Sequence, residues 1–119
     1  MTARPDTAYK VLTADQMRAL EADAFEGAPI DQADGYIHLS TRDQLTETVD
    51  RHFAGQAELW VAAVDLAALG DSVRWEESRG GALFPHIYGA MPLKVVIAYG
   101  GLERDDGGTV KLPVAGDST

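Results

Sequence analysis

The chain has 119 residues, the length of a single domain, and it contains no cysteine. A disulfide framework, a thiolate nucleophile and a Cys-ligated metal site are therefore excluded. Ten Lys and Arg residues against nineteen Asp and Glu residues give a net charge of −9, which argues against a nucleic-acid partner. Since the sequence has neither a long apolar run nor the apolar core of a signal peptide, we expect a cytoplasmic protein with no membrane partner.

The first predicted elements are a strand and a helix. Residues 8–12 are rich in β-formers and predict a short strand. Thr13 and Gln16 then have the spacing of a capping box, so a helix should follow and run to about Ala24. Gly27 and Pro29 are expected to end that element and open a polar loop over residues 31–34.

Residues 36–40 alternate between apolar and polar side chains, which predicts a strand. Ile37 and Leu39 would face one side, and Tyr36, His38 and Ser40 the other. The second face is either solvated or lines a cleft, and alternation alone does not separate the two.

Residues 41–44 repeat the capping spacing, and the helix that they open should run to about Phe53. Leu45, Val49, His52 and Phe53 are predicted to share one face of it. The continuous apolar run 59–64 predicts a strand covered on both faces. A turn or short helix is expected over 65–69.

The second half of the chain is predicted to be mostly extended. Strands are expected over 73–76, 83–88 and 95–99, with a hinge-like break at Gly80-Gly81. The fold class is therefore α+β, with a mixed or antiparallel sheet and two helices packed on it. Residues 8–103 should form a single domain, and 104–119 a loosely ordered acidic tail.

Three histidines occupy different predicted environments. His38 lies on the polar face of a strand, His52 on the apolar face of a helix, and His86 in an extended segment between Pro85 and Gly89. The alternative for each is a hydrogen-bonded structural or exposed histidine, and that alternative is favoured for His38 and His52. Because there is no His-x-His, no i,i+4 histidine pair and no Glu-x-x-His, no metal site is predicted.

Two further patterns could carry chemistry. Ser40, Thr41 and Arg42 at a helix start combine N–H groups, hydroxyls and a guanidinium, as an anion site does. The alternative is that Thr41 only caps the helix while Arg42 is solvated. Glu76 follows Trp75, and a carboxyl group against an indole can have a raised pKa suited to acid–base work. The alternative is an exposed charge at a strand end. Gly80-Gly81 would then be either a flap over the site or a turn.

Five segments of the sequence form a recognisable set. They are Ala-Tyr-Lys-Val-Leu at 8–12, Asp-Gly-Tyr-Ile-His-Leu-Ser-Thr at 34–41, Arg-His-Phe at 51–53, Arg-Trp-Glu at 74–76 and Phe-Pro-His-Ile-Tyr-Gly at 84–89. Together they resemble domain of unknown function 952, a family of small bacterial and plant proteins, and the resemblance runs from about residue 8 to residue 99.

The resemblance implies a fold like that of the ADP-ribosyltransferase superfamily, which includes the RNA 2′-phosphotransferases. Those proteins bind NAD in a cleft between two small sheets, which implies a split sheet here. Residues 9–13 would be the first cleft strand and residues 36–41 the second. Glu76 or His86 would hold the later catalytic position, and the two compete for it. Lys10 stands where many members carry His or Arg, which leaves the transferase reaction open.

Two functions follow. The first is an ADP-ribosyltransferase-type enzyme with NAD as its substrate, in which Glu76 stabilises positive charge on the ribose. The second is a non-catalytic module for a small phosphorylated ligand or a protein partner. The acidic charge makes RNA the least favoured substrate, and the oligomeric state is left open. The candidate catalytic residues are His38, Glu76 and His86. The candidate ligand-binding residues are Lys10, Tyr36, Ser40, Thr41, Arg42 and Tyr88.

Overall fold

The computed structural model describes residues 5–77 and 81–113, so Gly80 of the predicted break and the last six residues of the predicted tail lie outside it. The described residues form six strands and four α-helices. The strands are β1 (Thr7–Leu12), β2 (Ile37–His38), β3 (Trp60–Asp65), β4 (Val73–Glu77), β5 (Leu83–Ile87) and β6 (Val96–Gly101). The helices are α1 (Ala14–Glu21), α2 (Pro29–Asp34), α3 (Arg42–His52) and α4 (Leu66–Leu69).

The strands form two antiparallel sheets, which confirms the α+β class. The first sheet has the order β1-β3-β6 and the second β2-β5-β4. Four helices accompany them rather than two, because α2 and α4 add short helical turns. No helix in residues 5–77 or 81–113 is long and apolar enough to cross a membrane.

The predicted polar loop at residues 31–34 is wrong, because these residues belong to α2. Pro29 lies in the first turn of this helix, where a missing N–H costs nothing. The carboxylate of Asp31 accepts the N–H of Ala28 at 2.7 Å, and Gly35 ends the helix at φ 87°. The polar composition of residues 31–34 predicted a loop, whereas Pro29 and Gly35 are the sequence signals of the start and end of a helix.

Helix α1 begins where the capping box predicts and ends earlier than expected. Thr13 accepts the N–H of Gln16 at 3.2 Å, and the side chain of Gln16 accepts the N–H of Thr13 at 3.0 Å. The last helical residue is Glu21 rather than Ala24. Asp23 has a φ of 58°, and this left-handed residue directs the chain out of the helix.

Strands β1 and β3 of the first sheet are buried on both faces. One face carries Val11 and Val61 and packs against Leu45 and Val49 of α3. The other face packs against the second sheet and α1, in a cluster that includes Leu12, Val64, Leu20 and Ile87. Strand β3 lies at its centre, as the continuous apolar run predicts, with its four middle residues buried.

The second sheet joins the first through a short strand that Pro85 interrupts. Strand β2 pairs with β5 at only two positions, and Leu39 would pair with Pro85 next in the same register. Leu39 N–H donates to the carbonyl of Pro85 at 3.1 Å, but proline has no N–H with which to return the second bond. The chain therefore leaves β5, and Ser40 exchanges backbone hydrogen bonds of 2.7 and 2.9 Å with Tyr9 of β1.

Two predicted features near α3 look different in the structure. His52 is exposed at the end of this helix, so its predicted place on the apolar face is wrong, and Phe53 contacts the core instead. In the segment predicted as a loose tail, Arg104 forms a β-bridge with Val110, and Val110 is buried beside α3. Val110 and Leu112 of this segment therefore pack against the body of the domain.

Candidate functional site

The polar half of the β2 pattern lies on the outer face of the second sheet, the face opposite the core. Ile37 and Ile87 pair with each other across β2 and β5, and both are buried, so their side chains point inward. Because side chains alternate along a strand, the residues next to them point outward. His38, His86 and Arg74 are aligned across the three strands by their registers. Around this row lie Tyr36, Tyr88 and Glu76. We call these six side chains the outer-face cluster.

The rings of the outer-face cluster contact one another. Tyr36 stacks on His86 with 4.2 Å between ring centroids and a 24° angle between their planes. His38 meets His86 edge-on at 5.3 Å, and Tyr88 lies 5.1 Å from Tyr36. These contacts bury His86, which is 3% exposed, whereas Tyr88 is 38% exposed. The cluster therefore presents aromatic faces and edges to solvent above a covered imidazole.

Glu76 and His86, which compete for one position in the sequence, form a single hydrogen-bonded pair. One carboxylate oxygen of Glu76 lies 2.7 Å from Nδ1 of His86 and accepts the phenol of Tyr88 at 2.8 Å. These two hydrogen bonds lower the pKa of Glu76. The sequence-based expectation of a raised pKa is thus wrong, because these hydrogen bonds outweigh the effect of desolvation. The bond to Glu76 raises the pKa of Tyr88 in turn.

His38 lies between two carboxylates of α2. Its Nδ1 is 2.7 Å from Asp31 and its Nε2 is 3.0 Å from Asp34. Asp31 also accepts the backbone N–H of His38 at 3.0 Å. Both the ring and the backbone of His38 are therefore held by one short helix.

Lys10 lies behind this contact, in the interior. Its ammonium is 2.8 Å from Asp31 and donates to the carbonyl of His38 at 3.0 Å, and the residue is only 6% exposed. Burial disfavours the Asp31 carboxylate, but the hydrogen bond from His38 and the charge of Lys10 prevail and lower its pKa to about 2. Burial lowers the pKa of Lys10, while Asp31 opposes that change. Lys10 thus fixes Asp31, and through it His38, rather than facing solvent.

Three of the predicted ligand-binding residues lie apart from the cluster. The buried hydroxyl of Ser40 bonds to Thr48 of α3 at 2.8 Å, and the N–H of Thr41 bonds to the side chain of Gln44 at 3.0 Å. Arg42 borders a different cavity of about 340 Å³, between the start of α3 and the residues 109–112. The predicted anion site at the start of this helix therefore does not join the outer-face cluster.

Sequence reasoning missed Asp31, Asp34 and Arg74. The helical signals around Pro29 and Gly35 could have revealed the two aspartates, since a six-residue helix before β2 places them beside His38. Arg74 was visible in the Arg-Trp-Glu segment, two residues from Glu76 and hence on the same face of β4. Its guanidinium lies 4.8 Å from the centre of the Tyr88 ring.

The cluster offers proton-transfer groups and flat surfaces rather than a metal site. Among the residues that the structure describes, no three His, Asp or Glu side chains are grouped to hold a metal ion. What is present are two imidazoles, each on a carboxylate, and two tyrosine rings beside them. Such groups can hydrogen-bond hydroxyls, stabilise a developing cation and stack on a planar ring.

Comparison with known proteins identifies the family. The model of the family described as "Protein of unknown function (DUF952)" matches residues 11–99. The chain belongs to this family. The crystal structure of protein CC0527 from Caulobacter crescentus is 41% identical to this DUF952 protein, with a TM-score of 0.79 over 89% of this chain and 94% of that one. The solution NMR structure of CC0527 is 40% identical, with a TM-score of 0.74 over 97% of each chain. No curated protein matches this DUF952 protein.

Proposed function

We propose that this DUF952 protein binds a nucleotide or NAD-like ligand at the outer-face cluster. The observation that carries the proposal is the stack of Tyr36 on His86, with Tyr88 beside it and Glu76 hydrogen-bonded below. A partly exposed tyrosine pair provides a surface for a planar heterocycle. The exposed edge of His38 and the carboxylate of Glu76 are then within reach of a sugar attached to that ring.

The same groups suit an ADP-ribosyltransferase-type reaction with NAD as substrate. In that reaction the bond between the ribose C1′ and the nicotinamide nitrogen breaks, and its electron pair neutralises the pyridinium ring. An oxygen or nitrogen nucleophile of an acceptor then bonds to C1′ and loses its proton. Positive charge develops on the ribose, and Glu76 is available to stabilise it because its lowered pKa keeps it ionised at neutral pH.

One observation favours a non-catalytic module as the second candidate. Lys10 is buried in an ion pair, and Arg42 borders a different cavity. These two candidate ligand-binding cations are thus not assembled around the rings. A protein that holds a small phosphorylated ligand, or a partner protein that carries such a group, needs only the cluster itself.

Thermal melting with NAD, ADP-ribose, ADP and nicotinamide tests the proposal. A ligand that binds only the native state raises the melting temperature in proportion to the logarithm of its concentration. We expect a shift with NAD and ADP-ribose. Slow release of nicotinamide from NAD would favour the enzyme, and a shift without release would favour the module. No shift with any of the four compounds would contradict both.

Matched variants assign the effect to the cluster. Glu76→Gln should abolish nicotinamide release, whereas Glu77→Gln, on the opposite face of the same strand, should retain it. His38→Asn should remove the ligand-induced shift, and His52→Asn, at the end of α3, should keep it. Equal effects within either pair would contradict the assignment of the site.

A further inference from the structure

We propose that Arg74 binds the phosphate of the ligand, so that the ligand of the outer-face cluster is a phosphorylated nucleoside whose phosphate lies over β4. This inference rests on the proposed function and specifies it. None of the predicted phosphate contacts includes Arg74. The starting observation is that its exposed guanidinium lies 4.8 Å from the centre of the Tyr88 ring.

The guanidinium is positioned but not neutralised by an ion pair. Within residues 5–77 and 81–113, no carboxylate lies within 4.0 Å of Arg74. The nearby Glu76 directs one of its oxygens to His86 and to Tyr88 instead. The tyrosine ring holds the planar group from one side, which restricts its motion while leaving its N–H donors able to form a two-pronged contact.

The neighbouring cations of the fold are engaged elsewhere. Lys10 is buried against Asp31, and Arg104 is bonded to Asp50. Arg42 borders the cavity at the start of α3. Arg74 is therefore the cation that the described structure brings to the rings. Asp34 and Glu76 make the rest of this face acidic, so a phosphate bound here would depend on this one side chain.

The register of the sheet sets the direction of the ligand. His38, His86 and Arg74 lie in one row across β2, β5 and β4. Two strand spacings separate the ends of the row, which is roughly 10 Å. A ligand with its sugar hydroxyls at Asp34, the carboxylate on Nε2 of His38, would reach Arg74 with its phosphate. This places the phosphate across the sheet, away from the start of α3.

The test compares a charged ligand with its uncharged counterpart on matched variants. ADP and adenosine are titrated by calorimetry into the wild-type protein, Arg74→Gln and Arg42→Gln. We expect Arg74→Gln to weaken ADP binding about tenfold to a hundredfold and to leave adenosine unchanged, because one charge-assisted contact is lost. Arg42→Gln should bind both as the wild type does. Arg74→Lys should lie between, since it keeps the charge but loses the planar fork.

Two results would overturn the inference. One is an equal loss of ADP and adenosine affinity in Arg74→Gln, and the other is a loss of ADP affinity in Arg42→Gln instead. Since Arg74 is exposed, circular dichroism should show all variants folded, and an unfolded Arg74→Gln protein would be replaced by Arg74→Lys in the comparison.

A separate titration distinguishes failure of this inference from failure of the proposed function. Inorganic pyrophosphate is added to ¹⁵N-labelled protein, and the Nε–H signal of Arg74 is followed by NMR. Movement of this signal, with that of Arg42 unchanged, supports the phosphate contact even if no nucleotide binds. An unmoved Arg74 signal would contradict the inference, even if NAD or adenosine binds to the rings.

Discussion

The two sheets of this DUF952 protein have the same number of strands and opposite relations to solvent. The first is covered on one face by α3 and on the other by the second sheet. The second sheet is covered on its inner face, and its outer face carries tyrosine, histidine, arginine and glutamate side chains. The first sheet thus contributes buried side chains to both core clusters, while the second can present polar groups on a rigid support. Substitutions in the two sheets should therefore have different consequences.

The largest effect is expected in the first sheet. Leu12 is fully buried on the face that packs against the second sheet. Leu12→Ala should lower the free energy of unfolding by about 2–5 kcal/mol, because it removes buried apolar surface and leaves a cavity. Urea denaturation measures this. Ile97→Ala, on the exposed side of β6, is the control and should change little. A loss below about 1 kcal/mol for Leu12→Ala would contradict the buried position.

The next effect concerns the ion pair where the two sheets meet. Lys10→Met removes the ammonium from Asp31, whose side chain is 1% exposed. We expect a loss of about 3 kcal/mol, since a buried carboxylate loses its charged partner. Lys111→Met, which affects an exposed pair 4.0 Å from Glu103, should change stability by about 0.5 kcal/mol or less. Similar small losses for both variants would show that Lys10 is solvated.

Acid should weaken the ion pair between Lys10 and Asp31 over a defined range of pH. The pKa of Asp31 is about 2 in the folded protein, below its ordinary value of 3.8. Because the folded pKa is depressed, the stabilisation is present above pH ~4 and is lost as the pH falls through ~2, by about 2 kcal/mol. The measurement is urea unfolding of wild type and Asp31→Asn at several pH values. Their difference in stability should shrink by this amount between pH 6 and pH 2, and a constant difference would contradict the assignment.

The smallest effect on stability is expected on the outer face of the second sheet. Tyr88→Phe removes one hydrogen bond to Glu76 at the surface, so the unfolding midpoint should stay within experimental error. The pKa of Glu76 should rise, since that hydrogen bond helps to lower it. NMR titration of the side-chain carboxyl carbon measures this. Tyr99→Phe, whose hydroxyl bonds to Glu21 instead, should leave the pKa of Glu76 unchanged.

Local signals predicted most of the fold. The capping pairs at Thr13 and Thr41 predicted where α1 and α3 begin, and the apolar run predicted β3. Such features depend on neighbours within four residues. The end of α1 was predicted three residues too late, because no residue pattern in the sequence marks Asp23 as left-handed. The second sheet was predicted as strands, but its pairing joins residues that lie six to fifty positions apart.

The candidate site was predicted only in part, because its contacts also join residues that are far apart in the sequence. Tyr36 and His38 lie on one face of the second sheet, as the alternation predicted, and Glu76, His86 and Tyr88 meet them there. Lys10 was assigned to a ligand because nothing in its own segment predicts Asp31 as a partner. The pKa of Glu76 was expected to shift in the wrong direction because its bond to His86 requires the β4–β5 register. Side-chain partners across a sheet follow from register, which no short segment contains.

Because Pro85 has no amide hydrogen, the pairing of β2 with β5 ends at His38, and the chain that follows connects the two sheets. Residues 37 and 38 belong to the second sheet, while Ser40, two positions further, is paired with Tyr9 of the first. A ligand that displaced the backbone at His38 would pull directly on that pairing, with only Leu39 in between. Faster hydrogen exchange at the amides of Tyr9 and Ser40 would therefore report occupancy of a surface that neither residue touches.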